Sequence, residues 1–229
     1  MLLSISLTSF VLRLLLSRYG RVGVIEMHAL IAAASLLNFL PMRPGLFGRI
    51  AYHKAVNGIR AMDTAKTVIQ ALIISACVVS YLALSAVVCA WQEWSLWPAA
   101  LAAPAVLAAA SMRRSLRVWA LASLLRYVEV LAWALRYYLA FALLGSPIDP
   151  TGALALASAG VIVTFIPFFG NGLGVREWAI GLLAPLLTEY DLELGISAEL
   201  VNRAMEIVIF LATGLAGMAW LGAKRRGRG

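Results

Sequence analysis

Two apolar stretches of the chain are interrupted in a similar way. The first contains NFLPMRPGLFGR (residues 38–49) and the second contains TFIPFFGNGLGVR (residues 164–176). With one residue inserted, four positions align: Phe39 with Phe165, Pro41 with Pro167, Gly45 with Gly172 and Arg49 with Arg176. Because proline and glycine break helices, each stretch predicts two helices joined by a turn, that is, a hairpin.

The composition indicates that these hairpins belong to a membrane protein. Hydrophobic residues make up 62% of the 229 residues and charged residues 13%, whereas soluble domains have about 45–50% and about 25%. One globular core cannot bury this excess of apolar side chains. The net charge of +8 is therefore better matched to anionic lipid than to nucleic acid.

Hydropathy predicts an all-α, polytopic membrane protein with about seven membrane segments and two hairpin halves. The predicted segments are 2–17, 24–41, 67–91, 95–111, 118–145, 151–169 and 198–221, and the weaker hairpin halves are 44–59 and 172–187. The first segment lacks a basic start and a small-residue cleavage site, so we expect it to be retained rather than removed as a signal peptide.

The basic residues predict the orientation of these segments. Fourteen of the 19 lie between or beside segments: Arg18, Arg21, Arg43, Arg49, Lys54, Arg60, Lys66, Arg113, Arg114, Arg117, Lys224, Arg225, Arg226 and Arg228. These places should be cytoplasmic. The other connections should face outward, since they carry only acidic residues: Glu93, Asp149, Glu189, Asp191, Glu193 and Glu199. The C-terminus is thus predicted in the cytoplasm, and the chain in the inner (plasma) membrane.

This orientation requires 24–59 to enter from the cytoplasm and return there, while 151–187 enters from outside and returns outside. Each hairpin could be a pair of re-entrant half-helices or a pair of tilted full spans. The stretch 44–59 is also polar enough to lie on the membrane surface as an amphipathic helix.

The single transmembrane domain, residues 1–229, is predicted to contain two repeats. Repeat 1 covers 2–91, repeat 2 covers 118–221, 95–111 links them, and 222–229 is a basic cytoplasmic tail. Three crossings precede repeat 2, so the repeats are predicted to be inverted, a design that in transporters encloses a site near the membrane midplane. The alternative is that proline and glycine recur by chance.

The other five basic residues lie inside apolar segments: Arg13, Arg126, Arg136, Arg176 and Arg203. An arginine at a helix centre costs about 2.5–3.5 kcal/mol on insertion scales, so it normally has a partner or faces a cavity. Arg126 precedes Glu129 by three positions, as Arg203 precedes Glu206, which places each pair on one helix face. These pairs are either structural or part of the site, where Glu129, Glu177 and Glu206 could be proton or counter-charge partners.

Arg176 has the strongest features of a ligand-binding residue. Gly170, Gly172 and Gly174 precede it, and a helix starting near Val175 would point free N–H groups into the membrane. A guanidinium beside a helix N-terminus binds phosphate or carboxylate well.

Other residues complete or modify this predicted site. Glu177 could neutralise Arg176 until a substrate arrives, and Arg49 would offer a second cation. Asn171 could bind a headgroup or cap a helix, while Arg136 and Arg203 would extend the cationic surface. We expect no cofactor and no metal site, because the cysteines and histidines do not have metal-ligand spacing.

The stretch IPFFGNGLGVREWAIGLL resembles the Pro…Gly-Gly-x-Gly-x-Arg-Glu signature of the lysylphosphatidylglycerol synthase transmembrane-region family, the flippase-like membrane proteins. LLNFLPMRPGLFGR is similar to that family's first Pro-Gly-Arg turn, and ELVNRAMEIVIFLATGLAG to its closing span. The chain is shorter than usual members, lacks a soluble aminoacyl-transferase domain, and has Asn171 where glycine is common. The resemblance implies movement of polar or anionic lipids between leaflets.

These observations together predict a lipid transporter rather than an enzyme. Arg176 and Arg49 would bind the headgroup phosphate at hairpin turns formed by Pro41, Gly45, Pro167 and Gly170. The alternative is a membrane enzyme, or an accessory subunit of one, that acts on a lipid phosphate. A second copy of the chain or a lipid-modifying enzyme is left open as a protein partner.

Overall fold

The computed structural model describes residues 1–92, 95–166 and 170–226. The predicted all-α class is confirmed, since the described residues form nine α-helices and one 3₁₀ turn and no strand. The elements are α1 (Leu2–Leu16), α2 (Val24–Leu37), α3 (Pro44–Asn57), α4 (Ala61–Trp91), α5 (Leu96–Ser111), α6 (Arg117–Leu143), α7 (Pro150–Val163), the turn Gly170–Gly172, α8 (Val175–Leu187) and α9 (Leu192–Arg226).

Three helices in the described residues are long and apolar enough to cross a membrane: α4, α6 and α9. Four shorter helices, α1, α2, α5 and α7, contain apolar stretches of 10–17 residues. A helix of 14 residues, such as α2, is about 21 Å long, whereas the hydrocarbon core is about 30 Å thick. The chain is thus a helical membrane protein in which only some apolar helices have the length of a full span.

The breaks lie where proline and glycine predict them, but the helices end earlier than hydropathy suggests. α2 ends at Leu37 rather than near residue 41, and α7 ends at Val163 rather than near residue 169. α7 begins at Pro150, where the Asp149 carboxylate accepts hydrogen bonds from the N–H groups of Thr151 and Gly152. α2 contacts α3, and α7 contacts α8, so each pair forms a hairpin.

Two helix boundaries correct the sequence-based segments. α9 begins at Leu192 rather than at 198, and α4 begins at Ala61 rather than at 67. α9 also continues to Arg226, and its Lys224 pairs with the buried Glu26 of α2. Glu93, Pro167 and Arg228, which entered the sequence predictions, lie outside the described residues.

Helices of each predicted repeat pack against helices of the other repeat. α2, from the first hairpin, packs on α9, and α7, from the second hairpin, packs on α4. α1 packs on α6. Small residues permit the close packing of α9 on α2: a Cβ at Gly217 would lie 2.5 Å from the carbonyl oxygen of Ala29. This packing brings the turns of the two hairpins together, with Gly170 buried while Leu40 and Met42 stay exposed.

Candidate functional site

The turns of the two hairpins touch each other. A Cβ at Gly170 would lie 2.2 Å from the carbonyl oxygen of Phe39, so only glycine allows this approach. A guanidinium N–H of Arg43 donates a hydrogen bond to the carbonyl of Ile166 at 2.9 Å. Segments more than 120 positions apart in the sequence therefore form one structure.

The backbone of both turns is strained. In the described residues, positive φ angles outside glycine occur at Met42 (64°), Arg43 (48°) and Asn171 (46°), all within these turns. Such conformations cost of order 1–3 kcal/mol each and persist only where packing imposes them. Gly172 and Gly174 also have positive φ, 75° and 79°, which glycine adopts without this cost.

Arg176 lies in a buried cluster of ion pairs between α8 and α9. α8 begins at Val175, as the sequence predicts, and the Arg176 side chain is fully buried. Its Nε pairs with Glu199, and its terminal NH2 nitrogen lies 2.6 Å from a carboxylate oxygen of Glu206. Both carboxylates come from α9, so Arg176 fastens the second hairpin to this helix.

Arg203 makes a second set of connections between the same elements. Its Nε lies 3.0 Å from Glu177, and another guanidinium N–H donates to the backbone carbonyl of Asn171 at 3.0 Å. Arg203 also approaches Glu206 to 3.6 Å, one helical turn away. Glu177 therefore pairs with Arg203 in this structure, rather than with its sequence neighbour Arg176.

α6 contributes Arg136, Tyr137 and Trp133 to this region. The Arg136 guanidinium donates to the side-chain oxygen of Asn202 at 2.7 and 2.9 Å, and the Tyr137 hydroxyl donates to Glu199 at 2.6 Å. The Trp133 ring lies 4.4 Å from the guanidinium of Arg136 and 5.1 Å from that of Arg176. Arg136 also lies 3.8 Å from Glu206.

We call this set the ion-pair cluster; its charged members are Arg136, Arg176, Arg203, Glu177, Glu199 and Glu206. Three positive and three negative charges cancel, which explains how so many ionised groups are buried together. In this structure Arg176 is closed off by its carboxylate partners rather than open to an anion. Its guanidinium already has two carboxylates and no exposed surface.

A second site, which we call the arginine cavity, lies beside the cluster. It has a volume of about 220 Å³. Its lining includes Arg43 from the first turn, Arg49 from α3, and Arg126 and Glu129 from α6. Asn38 and Thr8 contribute further polar groups. A water molecule occupies about 30 Å³ of liquid, so the cavity has room for a small headgroup.

The charges of the arginine cavity do not cancel. Arg126 pairs with Glu129, and the Thr8 hydroxyl donates to the same carboxylate at 2.8 Å. In the described residues neither Arg43 nor Arg49 forms an ion pair, and Arg49 makes no side-chain hydrogen bond. Burial lowers the pKa of Arg49 to about 10, and Arg126 adds to this shift. Arg49 therefore stays protonated at neutral pH, as an unneutralised cation.

Several buried donors of the cavity also lack a protein acceptor. The Nε atoms of Arg43, Arg49 and Arg126 are buried and make no hydrogen bond within the described residues, and the side-chain oxygen of Asn38 is likewise unpaired. Buried polar groups normally have partners. Three guanidinium donors and two unneutralised charges in one cavity have the chemistry of an anion site.

A smaller cavity of about 140 Å³ joins the two regions. It shares Thr8, Asn38 and Glu129 with the arginine cavity, and it reaches Arg136 and Glu206 of the ion-pair cluster. Asn171, in the second turn, lines both cavities and donates to Glu206 at 3.3 Å. The second turn thus lies between the anion site and the cluster.

Pro41 lies in the first turn and Gly45 in the first turn of α3, and neither residue lines the cavity. A Cβ at Gly45 would lie 2.1 Å from the carbonyl oxygen of Ala34, so this glycine lets α3 pack on α2. Pro41 is exposed. Arg13 is also exposed; it donates to the carbonyl of Val22 and takes no part in either site.

Two residues have roles that the sequence patterns do not predict. Glu199 follows an acidic run, which predicts a solvated outer connection, but it is fully buried within α9 against Arg176. The charge pattern predicts for Arg43 only a role in orientation, but Arg43 joins the two turns. The signal for Glu199 was its spacing of three and four positions from Asn202 and Arg203, which places all three on one helix face.

The comparisons with known proteins add no relative. No protein-family model, curated protein or solved structure matches the chain.

Proposed function

We propose that this protein is a flippase-like lipid transporter that moves an anionic lipid between leaflets, with the headgroup phosphate bound in the arginine cavity. The observation that carries the proposal is the pair of unneutralised cations, Arg43 and Arg49, in a cavity between the two hairpin turns. Two of the helices that could cross a membrane, α4 and α6, line this cavity, so a lipid is the nearest source of an anion. The acyl chains would remain in the bilayer.

The proposed architecture has about seven membrane segments and two inverted repeats, α1–α4 and α6–α9, linked by α5. The helix contacts support two repeats. If α2 corresponds to α7 and α4 corresponds to α9, the contact of α2 with α9 is the counterpart of the contact of α7 with α4. The hairpin helices are about 21 Å long or less, which favours re-entrant halves over full spans. Alternating access in such transporters comes from one repeat rocking against the other.

The resemblance of the Pro-Gly-Arg turns to flippase-like membrane proteins supports the same class of function. In our proposal Arg176 does not touch the phosphate; it holds the second hairpin on α9 through Glu199 and Glu206. Arg49, its counterpart in the first hairpin, is the free cation that binds the headgroup. The two matched arginines would therefore have different roles.

We further propose that the protein resides in the inner (plasma) membrane with its C-terminus in the cytoplasm. The basic residues around α3, between α5 and α6 and at the end of α9 support this orientation. A second copy of the chain or a lipid-modifying enzyme would be compatible partners.

The test is transport in proteoliposomes. The full chain is reconstituted with phosphatidylglycerol or, in parallel vesicles, phosphatidic acid that carries a fluorophore on its acyl chain, and a membrane-impermeant quencher reports the lipid in the outer leaflet. We expect the protein to accelerate exchange between leaflets relative to protein-free vesicles, and the lipid to be recovered chemically unchanged. Unaltered exchange of both lipids would contradict the proposal, and a modified lipid would favour the enzyme.

A further inference from the structure

The charge balance of the arginine cavity limits the headgroups that fit it. Glu129 is occupied by Arg126 and by the Thr8 hydroxyl, so the cavity retains the charges of Arg43 and Arg49. A phosphodiester such as phosphatidylglycerol brings one negative charge and would neutralise only one of them. A phosphomonoester brings about 1.5 to 2 negative charges at pH 7 and would neutralise nearly both.

The donors of the cavity also match a terminal phosphate. The three guanidinium Nε–H groups without protein acceptors belong to three different side chains, on the first turn, on α3 and on α6. A terminal phosphate has three equivalent oxygens that can accept from three directions, whereas a diester has only two non-bridging oxygens. Planar guanidinium groups bind such oxygens well.

The same lining disfavours a headgroup that carries an ammonium. Glu129 and Glu206 are the carboxylates that line the two adjoining cavities in the described residues. Glu129 is paired with Arg126, and Glu206 lies within 4 Å of Arg136, Arg176 and Arg203. An ammonium group would thus enter a site of like charge without a free carboxylate to accept it.

We infer that the substrate is a lipid whose headgroup ends in a phosphomonoester or diphosphate and carries no ammonium group. That the substrate is a lipid rests on the proposed function. The nature of its headgroup rests on the charges of the cavity. It excludes aminoacylated and ethanolamine-containing lipids as preferred substrates.

The experiment measures binding to the full chain in a nonionic detergent. Phosphatidic acid with a fluorescent acyl chain is the probe, and unlabelled lipids with the same acyl chains compete for it. We expect phosphatidic acid to compete at least about tenfold better than phosphatidylglycerol, and phosphatidylethanolamine to be the weakest. Equal competition by phosphatidic acid and phosphatidylglycerol would overturn the inference while leaving the proposed transport intact.

A soluble phosphomonoester distinguishes the lipid from a free phosphate. Glycerol 3-phosphate has the same terminal group without acyl chains, and we expect it to compete far more weakly than phosphatidic acid. Competition as strong as that of phosphatidic acid would support the phosphomonoester but contradict a lipid substrate, and hence the proposed function.

Two variants connect the preference to the cavity. Arg49→Gln should reduce binding of phosphatidic acid more than binding of phosphatidylglycerol, so that the preference largely disappears. Lys54→Gln, on the exposed face of the same helix, should retain it. An unchanged preference in Arg49→Gln would assign the selectivity to another site and overturn the inference.

Discussion

The Glu199→Gln substitution tests the most unexpected feature of the structure, the buried carboxylate that faces Arg176. Glu199 is fully buried, and its two oxygens accept from Arg176, Tyr137 and Asn202. Glutamine has nearly the same shape but no charge. In one orientation its amide nitrogen would face the Arg176 guanidinium, and in the other it would face the donors of Tyr137 and Asn202. The change therefore removes an ion pair and leaves one donor without an acceptor.

The expected loss of unfolding free energy depends on the carboxylates that still surround Arg176 in the variant. Breaking a buried ion pair by removing one partner costs about 3–5 kcal/mol, because the other charge is left uncompensated. Arg176 keeps Glu206 at 2.6 Å, which places the loss near the lower limit. An unpaired buried donor adds about 1–3 kcal/mol. We expect the free energy of unfolding to fall by about 4–6 kcal/mol in total.

The assay is unfolding of the full chain in mixed micelles by titration with a denaturing detergent, followed by circular dichroism. Glu193→Gln is the matched control, since Glu193 lies on the same helix but is exposed and should change the free energy of unfolding by less than about 0.5 kcal/mol. A Glu199→Gln variant as stable as this control would refute the buried ion-pair cluster.

Three further predictions address the turns, pH and topology. Gly170→Ala should slow lipid transport strongly, because its Cβ would lie 2.2 Å from the Phe39 carbonyl oxygen and push the turns apart. Gly48→Ala is the control, since no atom lies within 4 Å of its Cβ, and it should transport lipid at the wild-type rate. Equal transport rates for the two variants would contradict the contact between the turns. Burial lowers the pKa of His53 to about 4 from an ordinary 6.5, with Glu26 opposing the shift and Arg49 adding to it, so the unfolded chain binds the proton more readily. As the pH falls from 6.5 to 4, the free energy of unfolding of the wild type should therefore fall by up to about 3 kcal/mol more than that of His53→Gln. The same pH dependence in wild type and His53→Gln would contradict a neutral buried histidine. In a background without Cys77 and Cys89, a cysteine at Arg60 should be labelled from the cytoplasm and one at Glu189 from outside, and labelling from the same side would contradict the inverted repeat.

Much of the helical framework could be predicted from local patterns. Proline and glycine marked both turns, and the start of α8 at Val175 followed from the glycines before it. Arg126 and Glu129, three positions apart on α6, form the pair that helical spacing predicts. These features depend on neighbours in the sequence, which is why the sequence alone revealed them.

The partners of Arg176 and the joining of the turns depend on tertiary packing. Arg176 is 23 positions from Glu199 and 30 from Glu206, and nothing local distinguishes it from an arginine open to a ligand. Arg43 meets Ile166 across 123 positions. Hydropathy also places the start of α9 too late, because the acidic residues at its beginning lower the average. Glu199 follows this acidic run, which is typical of a solvated connection.

Arg49 is the cation that we propose binds the lipid phosphate, and transport by Arg49→Gln tests this role most directly. Proteoliposomes that contain wild type, Arg49→Gln or Lys54→Gln are compared for exchange of fluorescent phosphatidic acid, at equal protein content and with equal helical content by circular dichroism. We predict that Lys54→Gln exchanges lipid at the wild-type rate and that Arg49→Gln does not exceed protein-free vesicles. Exchange by Arg49→Gln at the wild-type rate would contradict the account.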